Sequence, residues 1–329
     1  MLFIDNKGIT DPAINLAIEE YALKNLDIDE TYLLFYINEP SIIIGKNQNT
    51  IEEINKDYVE ENNIHIVRRL SGGGAVYHDT GNLNFSFITK DDGESFHNFR
   101  KFTEPVVEAL KSLGVNAELS GRNDLVAEGR KISGNAQFST RGRMFSHGTL
   151  LFNSEVEHVV SALNVKQEKI ASKGIKSIRS RVANISEFLT EPMSIEDFRT
   201  TLLKSIFGGS EEITEYVLTE KDWAAIRELC EERYRNWDWN YGRSPKFNLQ
   251  RTHRFPVGGI DVRLEVNKGK IEECTIFGDF FGVGDVTDIQ NRLTGIRYEK
   301  SDITEALADI DIKHYFGNIT KDEFINLVY

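Results

Sequence analysis

The stretch RRLSGGGAVYHD, Arg68–Asp79, sets three consecutive glycines between two runs that read as β-strand. A Walker phosphate loop needs GK[ST] running into a helix, and a dinucleotide turn needs G-x-G-x-x-G between a strand and a helix. Neither is present. Between strands, glycine permits positive φ and lets successive backbone N–H groups turn inward, a concavity suited to a carboxylate or a phosphate. A glycine-rich hairpin without a ligand is the competing reading. Arg68 and Arg69 occupy successive strand positions and face opposite ways, so one can serve the loop's ligand while the other is free to be a surface charge.

Upstream, DPAINLAIEEYALKNLD has Asp11 as N-cap, Pro12 at the first helical position and Ile14, Ala17, Ile18, Tyr21 and Ala22 on one face. This predicts an opening helix packed on the sheet that follows. TYLLFYIN, PSIIIG and IHIVRR are β-rich runs separated by Pro40, Gly45 and the helix-like IEEINKDYVEENN. Downstream, GAVYHD and LNFSFI meet at the turn signal TGN and read as a meander. In NFRKFTEPVVEALKSLG, Phe99, Phe102, Val106, Leu110 and Leu113 keep helical spacing and Gly114 supplies the stop. NDLVAEGRKISGNAQFST and RMFSHGTLLFN read as strands, and KDWAAIRELCEERYR as a long helix. Helices and strands do not alternate as βαβ units, so the expected class is α+β, a mixed sheet with flanking helices.

NWDWNYGRSPKFNLQ breaks this pattern and carries Pro245. The boundary is placed there, with a large domain over residues 1–244 and a small α+β accessory domain over 245–329. In the latter, Ile260, Val262, Leu264 and Val266 alternate with charged residues, and NKGK leads into a second strand through Ile271, a half-exposed hairpin. Thr320 and Glu323 form a capping box before the terminal FINLVY.

With 40% hydrophobic and 28% charged residues over 329 positions, the chain has ample core material for two domains. Its formal net charge of −13 argues against general affinity for nucleic acid or anionic membranes. No apolar run approaches the roughly 20 residues of a membrane span, and the first residues lack the basic and apolar regions of a signal peptide. A cytoplasmic, monomeric protein is expected. Cys230 and Cys274 lie far apart in unlike contexts, which supports neither a disulfide nor a cysteine metal cluster.

Basic residues stand out against that acidic background. In EGRKISGNAQ, Arg130 and Lys131 face opposite ways, and Lys131 shares its face with Ser133 before an SGN turn. Most lysines are solvated surface charges; the upstream GRND, which puts Asn123 and Asp124 at a strand start, distinguishes this one. KQEKIASKGIKSIRSRVANI sets Lys166, Lys169, Lys173, Lys176, Arg179 and Arg181 against a single acid, Glu168. Such a run is usually a solvated face, and with Gly174 at its centre it could also close over a nucleotide phosphate.

Taken together, RRLSGGGAVYHDTGN, GRNDL, RKISGNA, HGTLLF and KGIKSIRSRVANI resemble, in order and spacing, the lipoate–protein ligase A family in its two-domain bacterial form. The resemblance implies a biotin/lipoate-ligase-like α+β fold, akin to class II synthetases, with a small accessory domain that moves during turnover. It implies activation of lipoate by ATP and Mg²⁺ to lipoyl-AMP, then transfer to a lysine ε-amine of a carrier, either a lipoyl domain of a 2-oxo acid dehydrogenase or a glycine-cleavage H protein. Lys131 becomes the lysine contacting the lipoate carboxylate and the α-phosphate. Arg69, Ser71, Gly72, Gly73, Gly74, Ala75, Val76 and Tyr77 become nucleotide or lipoyl-AMP contacts. The basic stretch, with Lys173, Gly174, Ser177, Arg179 and Arg181, becomes the adenylate loop. His78, Asn123, Asp124, His147 and Gly148 lie in matching motifs. Asp124 either binds Mg²⁺ or orients Lys131, and each histidine is either a structural hydrogen-bonding group or a ligand contact.

The dithiolane tail would occupy an apolar pocket, with Phe35, Ile42, Ile44, Val76 and Leu150 as strand residues that either line it or pack in the core. An ATP-independent lipoyl or octanoyl amidotransferase needs a cysteine nucleophile at the site, and neither cysteine lies near the glycine loop. A non-catalytic lipoate-binding protein is the alternative from another class, and it would have no use for phosphate contacts.

Overall fold

The structure, a computed structural model, describes residues 1–163, 181–210, 212–242 and 247–329. Its strands in chain order are β1 (Leu2–Asp5), β2 (Tyr32–Ile37), β3 (Ser41–Ile44), β4 (His65–Arg68), β5 (Val76–His78), β6 (Asn82–Lys90), β7 (Ala117–Ser120), β8 (Asp124–Ala127), β9 (Arg130–Thr140), β10 (Arg143–Leu151), β11 (Leu249–Phe255), β12 (Gly258–Asn267) and β13 (Lys270–Gly278). They form a seven-stranded sheet ordered β1-β2-β6-β10-β9-β8-β7, and two three-stranded sheets, β4-β3-β5 and β11-β12-β13. The large sheet is antiparallel except for β1, which runs parallel to β2. The class is α+β, as expected.

β2 shows how the large sheet is held. Every residue of Tyr32–Tyr36 is buried, because both faces are covered. Leu33 and Phe35 join Phe85, Leu150 and the helices Phe99–Ser112 and Ile195–Ile206 in one core. Tyr32, Leu34 and Tyr36 face the other way, toward the opening helix Pro12–Asn25 and the helix Glu220–Leu229. The opening helix starts where expected, with Asp11 accepting from Ala13 N and Ile14 N.

The small sheet β4-β3-β5 stacks on this second layer. Ile43, Val67 and Val76 pack toward the large sheet, whereas Ile42, Ile44, Ile66 and Tyr77 face the short helices Lys56–Glu61 and Val156–Ala162. The expected meander of GAVYHD with LNFSFI does not form: β5 pairs with β3, and β6 pairs with β2 and β10. The TGN segment is a crossing between two sheets, fixed by Asp79 Oδ1 accepting from Gly81 N at 2.9 Å. The helix read through KDWAAIRELCEERYR ends at Leu229 and continues as a π-turn over Cys230–Tyr234. There the Tyr234 hydroxyl donates to the buried Glu20 at 2.7 Å.

Beyond Phe247, β11-β12-β13 and the helices Val286–Leu293 and Lys321–Val328 enclose a core of their own. The Thr320–Glu323 capping box is present. The short helix Trp237–Asn240 stays with the large domain, since Trp239 and Asn240 carbonyls accept from Arg68. This corrects one expectation: Arg68 is 1% exposed. Its guanidinium also donates to the carbonyls of Gly45, Lys46 and Gln48 at 2.7–3.1 Å, so it clamps a loop inside the protein.

Candidate active site

A pocket opens between the large and small sheets. Tyr36, Asn84, Lys131, Gly134–Ala136 and His147–Thr149 come from the large sheet. Ile43, Arg69, Gly73–Val76 and His78 come from the small sheet and its glycine loop, Leu16 from the opening helix, and Phe281 from the accessory domain.

The three glycines serve different ends. Gly73 alone adopts positive φ, at +92°. A Cβ on Gly73 would stand 2.7 Å from Phe281 Cζ, and one on Gly72 would stand 2.5 Å from the Phe280 carbonyl oxygen. Close approach of the accessory domain therefore requires glycine here as much as backbone freedom does. Phe281 also takes the Arg122 guanidinium over its ring at 4.3 Å.

Arg69 is buried beneath this loop. It donates to Ser71 Oγ at 2.9 Å, to the Ile43 carbonyl at 3.0 Å, and to the Gly72 and Gly74 carbonyls at 2.6 and 2.9 Å. Burial pulls its pKa down to about 10, with the charges of Tyr36 and Glu19 acting in the opposite direction, so it stays a cation at neutral pH.

Two chains of hydrogen bonds run from the opening helix to the pocket's histidines. Asn15 Nδ2 donates to Asn38 Oδ1 at 2.9 Å, and Asn38 Nδ2 lies 3.0 Å from His78 Nδ1. An amide nitrogen only donates, so Nδ1 accepts and the His78 proton sits on Nε2. That Nε2 is buried and has no partner among the described residues, while the ring lines the pocket. Burial, with Arg69 and His147 nearby, lowers the His78 pKa to about 3, so it is a neutral donor available to a ligand. In the second chain, Glu19 Oε1 lies 2.9 Å from His147 Nδ1, and His147 Nε2 lies 2.7 Å from Ser71 Oγ.

Lys131 is placed by a bulge. β8 and β9 pair Leu125 with Ser133 and Val126 with Lys131, which leaves Ile132 as an extra residue on β9. Simple alternation fails, so Ser133 is fully buried outside the pocket lining while Lys131 reaches into it. The turn is at Glu128–Gly129, both at positive φ, and not at SGN, which continues β9. Gly134 has another purpose: a Cβ there would stand 3.1 Å from Lys131 Nζ. Asp124, at the start of β8 as expected, holds Lys131 Nζ at 2.8 Å. Asn123 lines the pocket and is bound to Asn135 through Nδ2 and its carbonyl. Arg181 accepts from Lys131 N through its own carbonyl, which brings the end of the basic stretch alongside the lysine.

The pocket thus gathers Lys131, Arg69, Gly73, Gly74, Ala75, Val76, His78, Asn123, His147 and Gly148. Ser71 and Gly72 support it through Arg69. The Tyr77 side chain faces the other layer and stacks on His158, so only its backbone is near. Lys173, Gly174, Ser177 and Arg179, like Lys166, Lys169 and Lys176, lie outside the described residues. Of the apolar candidates Val76 lines the pocket; Phe35, Ile42, Ile44 and Leu150 are fully buried core. Leu16, Tyr36, Ile43 and Phe281 take that place. The signal for Asn15 and Glu19 was NLAIEEYAL itself: with Leu16 and Leu23 added to the apolar set, almost no helix face remains for water.

Among the described residues no group of acidic, histidine or cysteine side chains is arranged to hold a metal by itself. The donor set suits Mg²⁺ that arrives with a nucleotide and borrows one carboxylate, and Asp124 is the one at the lysine. Burial raises the Cys230 thiol to about 11 and the Cys274 thiol to about 12, so neither is a ready nucleophile.

Residues 11–207 match the family model described as the lipoyl protein ligase A/B catalytic domain, and residues 244–328 that of the bacterial lipoate protein ligase C-terminus. The chain is 69% identical to lipoate-protein ligase LplJ of Bacillus subtilis, over the full length of both. Among solved structures, P. falciparum LipL1 in complex with lipoate matches with a TM-score of 0.78 and 25% identity, over 99% of this chain and 96% of that one. Lipoate-protein ligase A bound with ATP matches with a TM-score of 0.62 and 31% identity, over 70% of this chain and 94% of the other.

Proposed function

Because the chain belongs to the lipoyl protein ligase A/B family and is an ATP-dependent lipoate–protein ligase, we propose that its turnover runs in two half-reactions within the pocket under the glycine loop. Lipoate lies with its tail among Leu16, Tyr36, Ile43, Val76 and Phe281 and its carboxylate toward Lys131. A carboxylate oxygen attacks the α-phosphorus of ATP, the α–β bridge breaks, and pyrophosphate leaves. A carrier lysine amine then attacks the acyl carbonyl, AMP departs, and the amine loses its proton.

Neither step needs a protein nucleophile. The first brings two anions together, so its barrier falls when cations and N–H donors are already fixed where charge develops. Lys131 supplies the central cation, Arg69 holds the glycine loop in shape, and the His78 Nε2–H offers a buried donor. Asp124 orients Lys131, and it would hold the Mg²⁺ that accompanies ATP, an ion that would supply charge neutralisation for the departing pyrophosphate. Lys173, Gly174, Ser177, Arg179 and Arg181 are proposed to bind the adenylate.

The carriers proposed are lipoyl domains of 2-oxo acid dehydrogenases and the glycine-cleavage H protein, met in the cytoplasm by a monomeric enzyme. No helix among the described residues is long and apolar enough to cross a membrane. The domain boundary is proposed at 244/245, consistent with the separate accessory core. The observation that carries the reading is Lys131 and the Arg69-braced glycine loop on one pocket lining, with both thiols buried elsewhere. Incubation with Mg-ATP, lipoate and a purified lipoyl domain should add one lipoyl group to the carrier by mass spectrometry. Equal modification without ATP from an acylated donor would point to the amidotransferase instead.

A further inference from the structure

Arg69 is buried, yet none of the contacts described above for its guanidinium is to a carboxylate: three are backbone carbonyls and one is Ser71 Oγ. A buried guanidinium without counter-charge is costly. Glu19 supplies that charge at two removes, through His147 and Ser71, and its side chain is 3% exposed. A carboxylate only accepts, so His147 Nδ1 carries a proton toward Glu19. In the neutral ring Nε2 then accepts from the Ser71 hydroxyl, which leaves the Ser71 lone pairs to receive Arg69 Nε. Each member of the chain dictates the hydrogen-bonding role of the next, and the chain ends on the arginine that grips the Gly72 and Gly74 carbonyls.

We propose that Glu19 is a positioning residue for lipoate activation, acting through His147 and Ser71 to hold Arg69 and the glycine loop in the shape that receives the ligand. The proposal rests on the ligase reading for its kinetic consequence, and on geometry alone for its chemical one. Glu19 lies on the opening helix and is not among the residues that line the pocket, so its removal takes away no pocket contact and reaches the site through the chain it anchors and through its charge on Arg69.

The test has two arms. In ¹⁵N spectra of histidine-labelled protein, the His147 ring carries its proton on Nδ1 in the wild type and loses that fixed preference in Glu19→Ala. A wild-type ring protonated on Nε2 alone, or a ring unchanged in Glu19→Ala, overturns the proposal whether or not the protein activates lipoate. In the kinetic arm, Glu19→Gln lowers kcat/KM for lipoate-dependent pyrophosphate release about 10- to 100-fold per folded molecule, and Glu19→Asp recovers part of it. The double variant Glu19→Ala/Ser71→Ala loses no more than the worse single variant, because both cut one chain. Additive losses, or a Glu19→Gln loss that only tracks the unfolded fraction, overturn it. A wild type that releases no pyrophosphate with lipoate counts against the ligase reading, and the spectra still decide the role of Glu19.

Discussion

Lys131 Nζ stands 2.8 Å from Asp124 Oδ1, across a bulge that puts Ile132 into the core and turns Lys131 to the pocket. Gly134 leaves room for the lysine to lie over the strand. The lysine is therefore a cation held at a fixed place before any anion arrives, and preorganisation of that kind is where most of its catalytic effect would originate.

Lys131→Ala should lower lipoate-dependent pyrophosphate release by about 100- to 1,000-fold or more while leaving thermal unfolding close to wild type, since the side chain is a third exposed. Asp124→Asn should cost at least about 10-fold, because it loosens the orientation of Lys131 and removes the carboxylate that would hold Mg²⁺. Wild-type release from a folded Lys131→Ala protein would remove the lysine from the mechanism.

The pocket's wall was legible only in part, and parity is the reason. β2 and β3 read as uninterrupted apolar runs because both faces of each are buried, so nothing in the pattern says which alternate residues meet the ligand. Phe35, Ile42 and Ile44 fall on the core side, and Tyr36 and Ile43 on the pocket side. Lys131, Asp124 and the glycine loop could be located because they depart from their surroundings in charge or composition. Phe281 could not, since it reaches the site only through the packing of a separate domain. The pairing of β5 with β3 depends on long-range register, which the local TGN signal does not encode, and the Ile132 bulge sits in a hairpin whose turn is at Glu128–Gly129 and not at SGN.

His78 gives a pH signature. Its folded pKa, lowered to about 3, lies below the 6.5 of a free histidine, so the unfolded chain binds the proton first. Its contribution to stability is complete above pH 6.5 and is lost as pH falls toward 3. Urea unfolding should lose about 2 kcal/mol from this group between pH 7 and pH 5. Most of that difference should vanish in His78→Gln; identical pH slopes in the two proteins would show that His78 titrates normally in the fold.

Both thiols are packed and inert. Replacing Cys230 and Cys274 together by alanine should leave ATP-dependent ligation per folded molecule within about 2-fold of wild type, despite a stability loss of roughly 1–2 kcal/mol per site. Loss of activity on brief treatment of the native enzyme with a thiol reagent would argue that one of them reaches the site.

Phe281 joins the accessory domain to the pocket. Phe281→Ala should raise KM for lipoate about 10-fold, the scale of one lost apolar contact, with a smaller effect on KM for ATP. Equal changes in both constants would mean that the ring only fastens the two domains together.

In the proposed mechanism this pocket activates lipoate on ATP before any carrier is present. With Mg-ATP and lipoate alone, a stoichiometric burst of pyrophosphate should appear and lipoyl-AMP should remain on the enzyme, whereas biotin should give none. Pyrophosphate release that requires the carrier, or carrier acylation without ATP, would rule out a carrier-independent adenylation step.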